Sequence, residues 1–211
     1  MANINAPFGL RQQTSAVGAP SNFQMIPKNI AYNDTTKIFT GDPIKVLDTG
    51  YIAQWAAADG IAKLAGIFDG VEYLSTAQGK MTSSNFWPGA DVASTAQSTI
   101  VAKIIPVTPG SVFLVQSDGT GVAFTDIGLN AEITIGTGNV QTGQSGAYLS
   151  GVANTATLPF RIIGLYGGLP GAGGALGIQP GTNGPYSGSA TGAYNWVLVQ
   201  PNLSGTGSLG T

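Results

Sequence analysis

"PIKVLDTGYIAQWA", residues 43–56, decides the fold class. Two short runs, "PIKVLD" (43–48) and "YIAQWA" (51–56), carry β-branched and aromatic residues. Asp48-Thr49-Gly50 between them is the chemistry of a tight hairpin turn. The same alternation of short apolar runs and breakers repeats along the 211 residues, where 32 glycines and 12 prolines punctuate the chain. Such spacing is the signature of an all-β protein. Further strands are expected at 23–30, 64–74, 81–87, 98–107, 111–117, 131–136, 155–166 and 193–201. "QSDGTGV" supplies another turn, with Asp118-Gly119 as the pair suited to positive φ. No segment holds a 3.6-residue apolar period over three turns. "QWAAADGIAKLAG" has room for one short helical turn, which Asp59-Gly60 breaks. Phe68, Tyr73, Phe86 and Trp87 crowd one stretch and read as core, and Trp87-Pro88-Gly89 as a corner.

The expected architecture is a compact β-barrel or β-sandwich over residues 23–166, with an extended N-terminal arm (1–22) and a long Gly-rich loop. "NINAPFGLRQQ" (3–13) is stiff and apolar at a place where chains usually carry polar residues. Pro7 restricts the residue before it to extended backbone. In an extended strand Phe8 and Leu10 share one side and Arg11 takes the other. Pro7, Phe8, Leu10 and Arg11 are therefore candidate contacts to a neighbour, with Arg11 suited to a bidentate carboxylate pair. An arm folded back as an edge strand over its own body is the alternative. Residues 167–192 form a Gly/Pro/Ser-rich excursion, longer than structureless loops usually are. Leu169, Leu176, Ile178 and Tyr186 within it are candidate interface residues. Residues 193–211 hold a returning strand and a flexible tail.

Only 9% of residues are charged, eight basic and ten acidic, against roughly 25% in an average domain. A surface so poor in charge favours association, so much of it is expected to meet copies of itself or a partner. Six lysines and two arginines lie scattered, without the cluster that phosphate binding needs, so nucleic acid is not an expected partner. No clean apolar run of about 20 residues exists, so neither is a membrane. Residue 1 is followed by no basic cluster and long apolar run, and no signal peptide is expected.

The chain has no cysteine and no histidine. Disulfides, thiolate metal sites and the usual catalytic triads are thereby excluded. "GLPGAGGALG" imitates a dinucleotide-binding loop, but Leu176 stands at its third glycine and no helix can follow. Gly79-Lys80 imitates a phosphate loop, but Met81 stands where Ser or Thr belongs. Gly143-Gln144-Ser145-Gly146 lacks the final glycine of a nucleophile elbow, having Ala147. Asp42/Asp48 and Asp69/Glu72 are the nearest carboxylate pairs for acid–base work, although turn aspartates usually cap backbone and strand spacing sets Asp69 and Glu72 on opposite faces.

"NAPFGLR", "GIFDGVEY" with "GKMTSSNFWPG", "VFLVQSDG", "DIGLNAE" with "TGQSG", and "NWVLV" follow one another in this order. The pattern is similar to a group of small head proteins of tailed bacteriophages, the capsid decoration or cement proteins, over roughly residues 3–166 and 193–200. The resemblance implies a β-rich auxiliary protein, commonly a trimer, that reinforces an icosahedral shell in many copies. Its partners would be the major capsid protein and itself. It would be made in the host cytoplasm and reside on the phage head surface. No catalytic or cofactor residue comes with the resemblance, so a non-enzymatic protein without cofactors is expected. The Gly-rich excursion and the tail "SGTGSLGT" depart from the pattern. Two rival readings are a tail or fibre module that binds a host glycan through Trp or Tyr platforms, and a histidine-free glycosidase built on two carboxylates.

Overall fold

The computed structural model describes residues 4–13, 24–108, 110–166 and 193–202. The protein is all-β. Fourteen strands run among the described residues: β1 Arg11–Gln12, β2 Ile26–Lys28, β3 Ile38–Phe39, β4 Pro43–Val46, β5 Ile52–Gln54, β6 Leu64–Ser75, β7 Lys80–Ser84, β8 Phe86–Trp87, β9 Val101–Pro106, β10 Phe113–Gln116, β11 Asn130–Thr134, β12 Tyr148–Ala153, β13 Phe160–Leu165 and β14 Trp196–Pro201. Helical structure among these residues is confined to short 3-10 turns, and no helix is long and apolar enough to cross a membrane.

The strands form two larger antiparallel sheets, in the orders β1-β10-β14-β13-β11-β12 and β2-β9-β6-β4-β5, with β7 added to the second half of β6 and β3-β8 as a separate ribbon. The arrangement is sandwich-like, and neither sheet closes into a barrel. Each curls far enough for a single bridge to join distant strands: Ser117, just beyond the second strand β10, to Leu149 in the end strand β12, and Ile30, beyond the end strand β2, to Ile52 in the end strand β5.

Two apolar cores result. Leu10, Trp55, Phe113, Val115, Ile133, Phe160 and Val199 pack in the first, together with Leu64 and Ile67 of β6 and Ile105 of β9. Phe68 and Val71 of β6 and Ile104 of β9 face the second, where Ile38, Ile44, Tyr73 and Trp87 join them. The second sheet is thus covered on both faces, which explains why "LAGIFDGVEYL" reads as a near-continuous apolar run. A register shift between Phe68 and Gly70 breaks the alternation in β6. Phe68, Tyr73 and Trp87 of the aromatic crowd are core as expected, with Tyr73 edge-on to Trp87 at 5.4 Å, whereas Phe86 is only half-buried and stacks on Phe39 at 5.4 Å.

The 43–56 hairpin forms, with Val46 opposite Ile52. The 57–63 stretch holds two 3-10 turns, Ala57–Asp59 and Ile61–Lys63, separated at Gly60. Two turn details differ from expectation. In 118–121 the positive φ falls on Gly121 rather than Gly119, because the Asp118 carboxylate caps the backbone N–H groups of Thr120 and Gly121 at 2.9 and 3.1 Å. The run 98–107 begins in a 3-10 turn, Ser94–Thr99, and becomes strand at Val101.

Candidate functional site

The N-terminal segment is not an arm. Its backbone groups are taken up within the chain, as buried backbone requires. Ala6 N–H donates to Gln116 Oε1 at 3.0 Å, Gly9 N–H to the Ala147 carbonyl at 3.2 Å, Leu10 N–H to the Gly41 carbonyl at 2.9 Å and Gln13 N–H to the Val112 carbonyl at 2.7 Å. Between them β1 pairs with β10, Arg11 opposite Leu114. Phe8 and Leu10 are buried, and Leu10 belongs to the first core. Side chains so placed are not free to reach a neighbour; the segment 4–13 is the edge of its own sheet, and the arm boundary at residue 22 does not hold for it. Phe8 meets the Trp196 ring edge-on at 5.1 Å, and Trp196 lies 5.7 Å from Tyr166. Arg11 is exposed, with its guanidinium carbon 5.1 Å from the Phe8 ring centroid; among the described residues it has no carboxylate partner. Leu169, Leu176, Ile178 and Tyr186 lie outside the described residues.

Of the predicted contacts among the described residues, Pro7 alone lines the cleft at one end of the first sheet. This cleft, of about 370 Å³, opens where the end of β10 and the start of β14 lie beside the end of β11 and the start of β12. Asn5, Asp118, Thr137, Tyr148 and Tyr194 are among the residues that line it. Ser117 of its lining belongs to a buried polar network. Gln116 Nε2 donates to the carbonyls of Ile4 at 2.9 Å and Tyr194 at 3.2 Å. Asn195 Oδ1 accepts from Ser117 Oγ at 2.6 Å and Val122 N–H at 3.1 Å, while Asn195 Nδ2 donates to the Val122 carbonyl at 2.8 Å. Gln116, Ser117 and Asn195 are each at most 1% exposed. Fully satisfied networks of this kind hold one geometry. Among the described residues Tyr194 is the single non-glycine with positive φ, 57°. Its phenol end lies against Gly119, where a Cβ would stand 3.1 Å from the hydroxyl oxygen.

Asp42 and Asp48 are not brought together as acid and base. Asp42 is buried at one end of β4 and Asp48 exposed in the turn beyond its other end. Asp42 accepts from Phe39 N–H and Gln54 Nε2, each at 2.8 Å, and from Ser145 Oγ. Burial pushes its carboxyl above the ordinary aspartate value, against the three donors that favour the charged form. Ser145, the expected false nucleophile, also accepts Ala147 N–H at 2.9 Å and serves as a pin between loops. Glu72 pairs with Lys103 at 2.6 Å across β6 and β9. No group of three or more His, Cys, Asp or Glu that could hold a metal occurs among the described residues.

The two tyrosines of the cleft escaped sequence reasoning. Tyr148 heads a strand that the sequence did not mark, and Tyr194 lies 76 positions from Asp118 in the chain; the only local signal was the turn chemistry at Asp118. No family model, curated protein or solved structure matches the chain.

Proposed function

We propose that the chain is a non-catalytic structural protein of a phage virion, one that decorates a capsid and stiffens it by bridging neighbouring capsid subunits. The observation that carries the reading is the surface. Only 9% of residues are charged, while Ile4, Met25, Met81, Phe124 and Val140 are each at least 45% exposed. Such a surface suits a body that spends its life against copies of itself and a shell. The ordered motifs from "NAPFGLR" to "NWVLV" supply the prior for a phage head. The partners on this reading are the major capsid protein and other copies of the chain, with a trimer as the first expectation.

Strand addition is the mode that suits this surface, since it uses backbone rather than special side chains. β7 is the clearest edge: Lys80–Ser84 pairs with β6 on one side and has no second strand among the described residues. The exposed Met81 on it is the apolar contact such an edge would use. The N-terminal segment takes no part, because its hydrogen bonds are spent within the chain.

Imaging purified virions tests the reading. Ordered density for this chain on the outer shell supports it. Density confined to the tail overturns it.

A further inference from the structure

We propose that the cleft between Tyr148 and Tyr194 binds a neutral saccharide, one or two pyranose units at the end of a glycan. The inference is independent of where in a virion the chain sits.

The size fits first. About 370 Å³ lies near the lower end of the roughly 300–1,000 Å³ of small-molecule sites. That is room for a sugar or two. The chemistry fits next. A pyranose has an apolar C–H face and a rim of hydroxyls. Tyrosine offers the matching combination, an apolar ring with a polar tip, and two tyrosines line the cleft, Tyr148 at the head of β12 and Tyr194 in the turn before β14. Asp118 supplies a charged acceptor, and hydrogen bonds to a carboxylate are the strong ones. Its Oδ1 is already fixed by the N–H groups of Thr120 and Gly121. The carboxylate is therefore aimed before any ligand arrives, and Oδ2 is the oxygen for a sugar hydroxyl. Asn5 and Thr137, both exposed, add neutral donors and acceptors at the rim.

Charge selects among ligands. Among the described residues Asp118 is the only charged one lining the cleft, and no Lys or Arg accompanies it. Phosphates and acidic sugars are repelled. A quaternary ammonium would suit aromatic rings with a carboxylate, but it would leave the hydrogen-bonding groups of Asn5 and Thr137 unused.

The site is built rather than incidental. Left-handed backbone is uncommon for a bulky residue and persists where the surroundings over-determine it, often at binding sites. Here Tyr194 N–H donates to the Asp118 carbonyl at 2.9 Å, and the Tyr194 carbonyl accepts from buried Gln116. The same Gln116 holds both residues flanking Asn5, through the Ile4 carbonyl and the Ala6 N–H. One buried amide thus sets two walls of the cleft.

The test is ligand-observed saturation-transfer NMR on the full chain. The probes are the methyl glycosides of glucose, mannose, galactose and N-acetylglucosamine, each alone, with choline as a contrast. The expected result is transfer to the ring protons of at least one glycoside and none to choline. Tyr194→Asn keeps a residue that tolerates left-handed backbone and should weaken binding about tenfold, the worth of one aromatic contact. Asp118→Asn keeps a capping oxygen and should weaken it too. Tyr148→Ser serves if the Tyr194 variant fails to fold, and Tyr32→Ser, outside the cleft, should change nothing. Transfer to no glycoside from folded wild-type protein overturns the proposal. So does transfer undiminished in the folded cleft variants, or a preference for choline. None of these results bears on where virion imaging places the chain.

Discussion

Gly9 and Gly41 touch backbone to backbone where the N-terminal segment crosses the turn before β4. A Cβ at Gly9 would stand 2.6 Å from the Gly41 carbonyl oxygen, and one at Gly41 would stand 2.8 Å from the Phe8 carbonyl oxygen. Both residues have left-handed φ, 75° and 97°. Gly9→Ala or Gly41→Ala therefore combines a left-handed penalty of about 1–2 kcal/mol with an overpacking cost of about 1–3 kcal/mol. Gly50 also has positive φ, 83°, but nothing within 4 Å of its Cβ position. Gly50→Ala should carry only the first penalty. Urea unfolding of the three variants measures the difference, and equal losses would mean that the crossing is looser than described.

The N-terminal segment should behave as core. Leu10→Ala should cost about 2–5 kcal/mol, and deleting residues 2–13 should lower the melting temperature sharply. Arg11→Ala should cost under about 1 kcal/mol, the scale of an exposed cation–π contact. A truncated chain that melts like the full one would restore the free-arm reading.

Asp42 and Asp59 should move stability with pH in opposite directions. Burial raises the Asp42 carboxyl above its ordinary 3.8. The folded state then binds more protons than the unfolded one, so its contribution is full below 3.8 and is lost as pH rises through the folded-state value. Burial also works to raise Asp59. The hydrogen bond from Lys45, the Ala56 N–H and the Lys45 and Lys63 charges outweigh it and leave the carboxyl lowered. Its contribution is present above 3.8 and is lost as pH falls through the lowered value. Denaturation of Asp42→Asn and Asp59→Asn across the acid range reads both signs. Wild type should gain on the first variant towards acid and lose its advantage over the second.

Asn195 should be expensive to replace by an apolar residue of its own size. Asn195→Leu would strand Val122 N–H, the Val122 carbonyl and the Ser117 hydroxyl in the interior. At about 1–3 kcal/mol for each unpaired group, the loss should reach about 3 kcal/mol or more. The same variant should blunt saccharide binding, since the network underlies Tyr194. A near-neutral denaturation midpoint would mean that water replaces the amide.

Attachment to a shell should resist salt. Apolar and backbone contacts are little affected by screening, which acts on exposed charges. Occupancy on capsids should be similar at low salt and at about 1 M, where the Debye length is about 3 Å. Release of most copies at high salt would give the eight basic and ten acidic residues a larger part than proposed. Sedimentation of the free chain at the same salts tests for a trimer formed before docking, and a strict monomer would remove that step.

The sequence by itself determined the all-β class, the 43–56 hairpin, the break at Gly60 and the aromatic core around Phe68, Tyr73 and Trp87. Each depends on local chemistry: residues that favour extended backbone, turn residues that end it, and apolar side chains dense enough to require burial. It also marked Asp42, with the capping of backbone as the usual role of such a residue, and Asp42 accepts the Phe39 N–H.

Only the tertiary structure decided which strands meet. β10 pairs with β14 across more than 80 positions, Phe113 opposite Val199, and nothing local announces such a partner. β12 escaped notice because "AYLSGVA" is half small or polar residues, with Gly151 inside it, and becomes a strand through pairing with β11. Two register shifts in β6, between Leu64 and Gly66 and between Phe68 and Gly70, put Leu64 with Ile67 in one core and Phe68 with Val71 in the other. The N-terminal segment read as stiff and apolar in either case. Whether Phe8 and Leu10 served a neighbour or their own sheet depended on Gly41, Val112, Gln116 and Ala147, which only folding brings to them. The cleft has the same origin: Asn5, Asp118, Tyr148 and Tyr194 come from four separated stretches, and a curled sheet sets them around one opening.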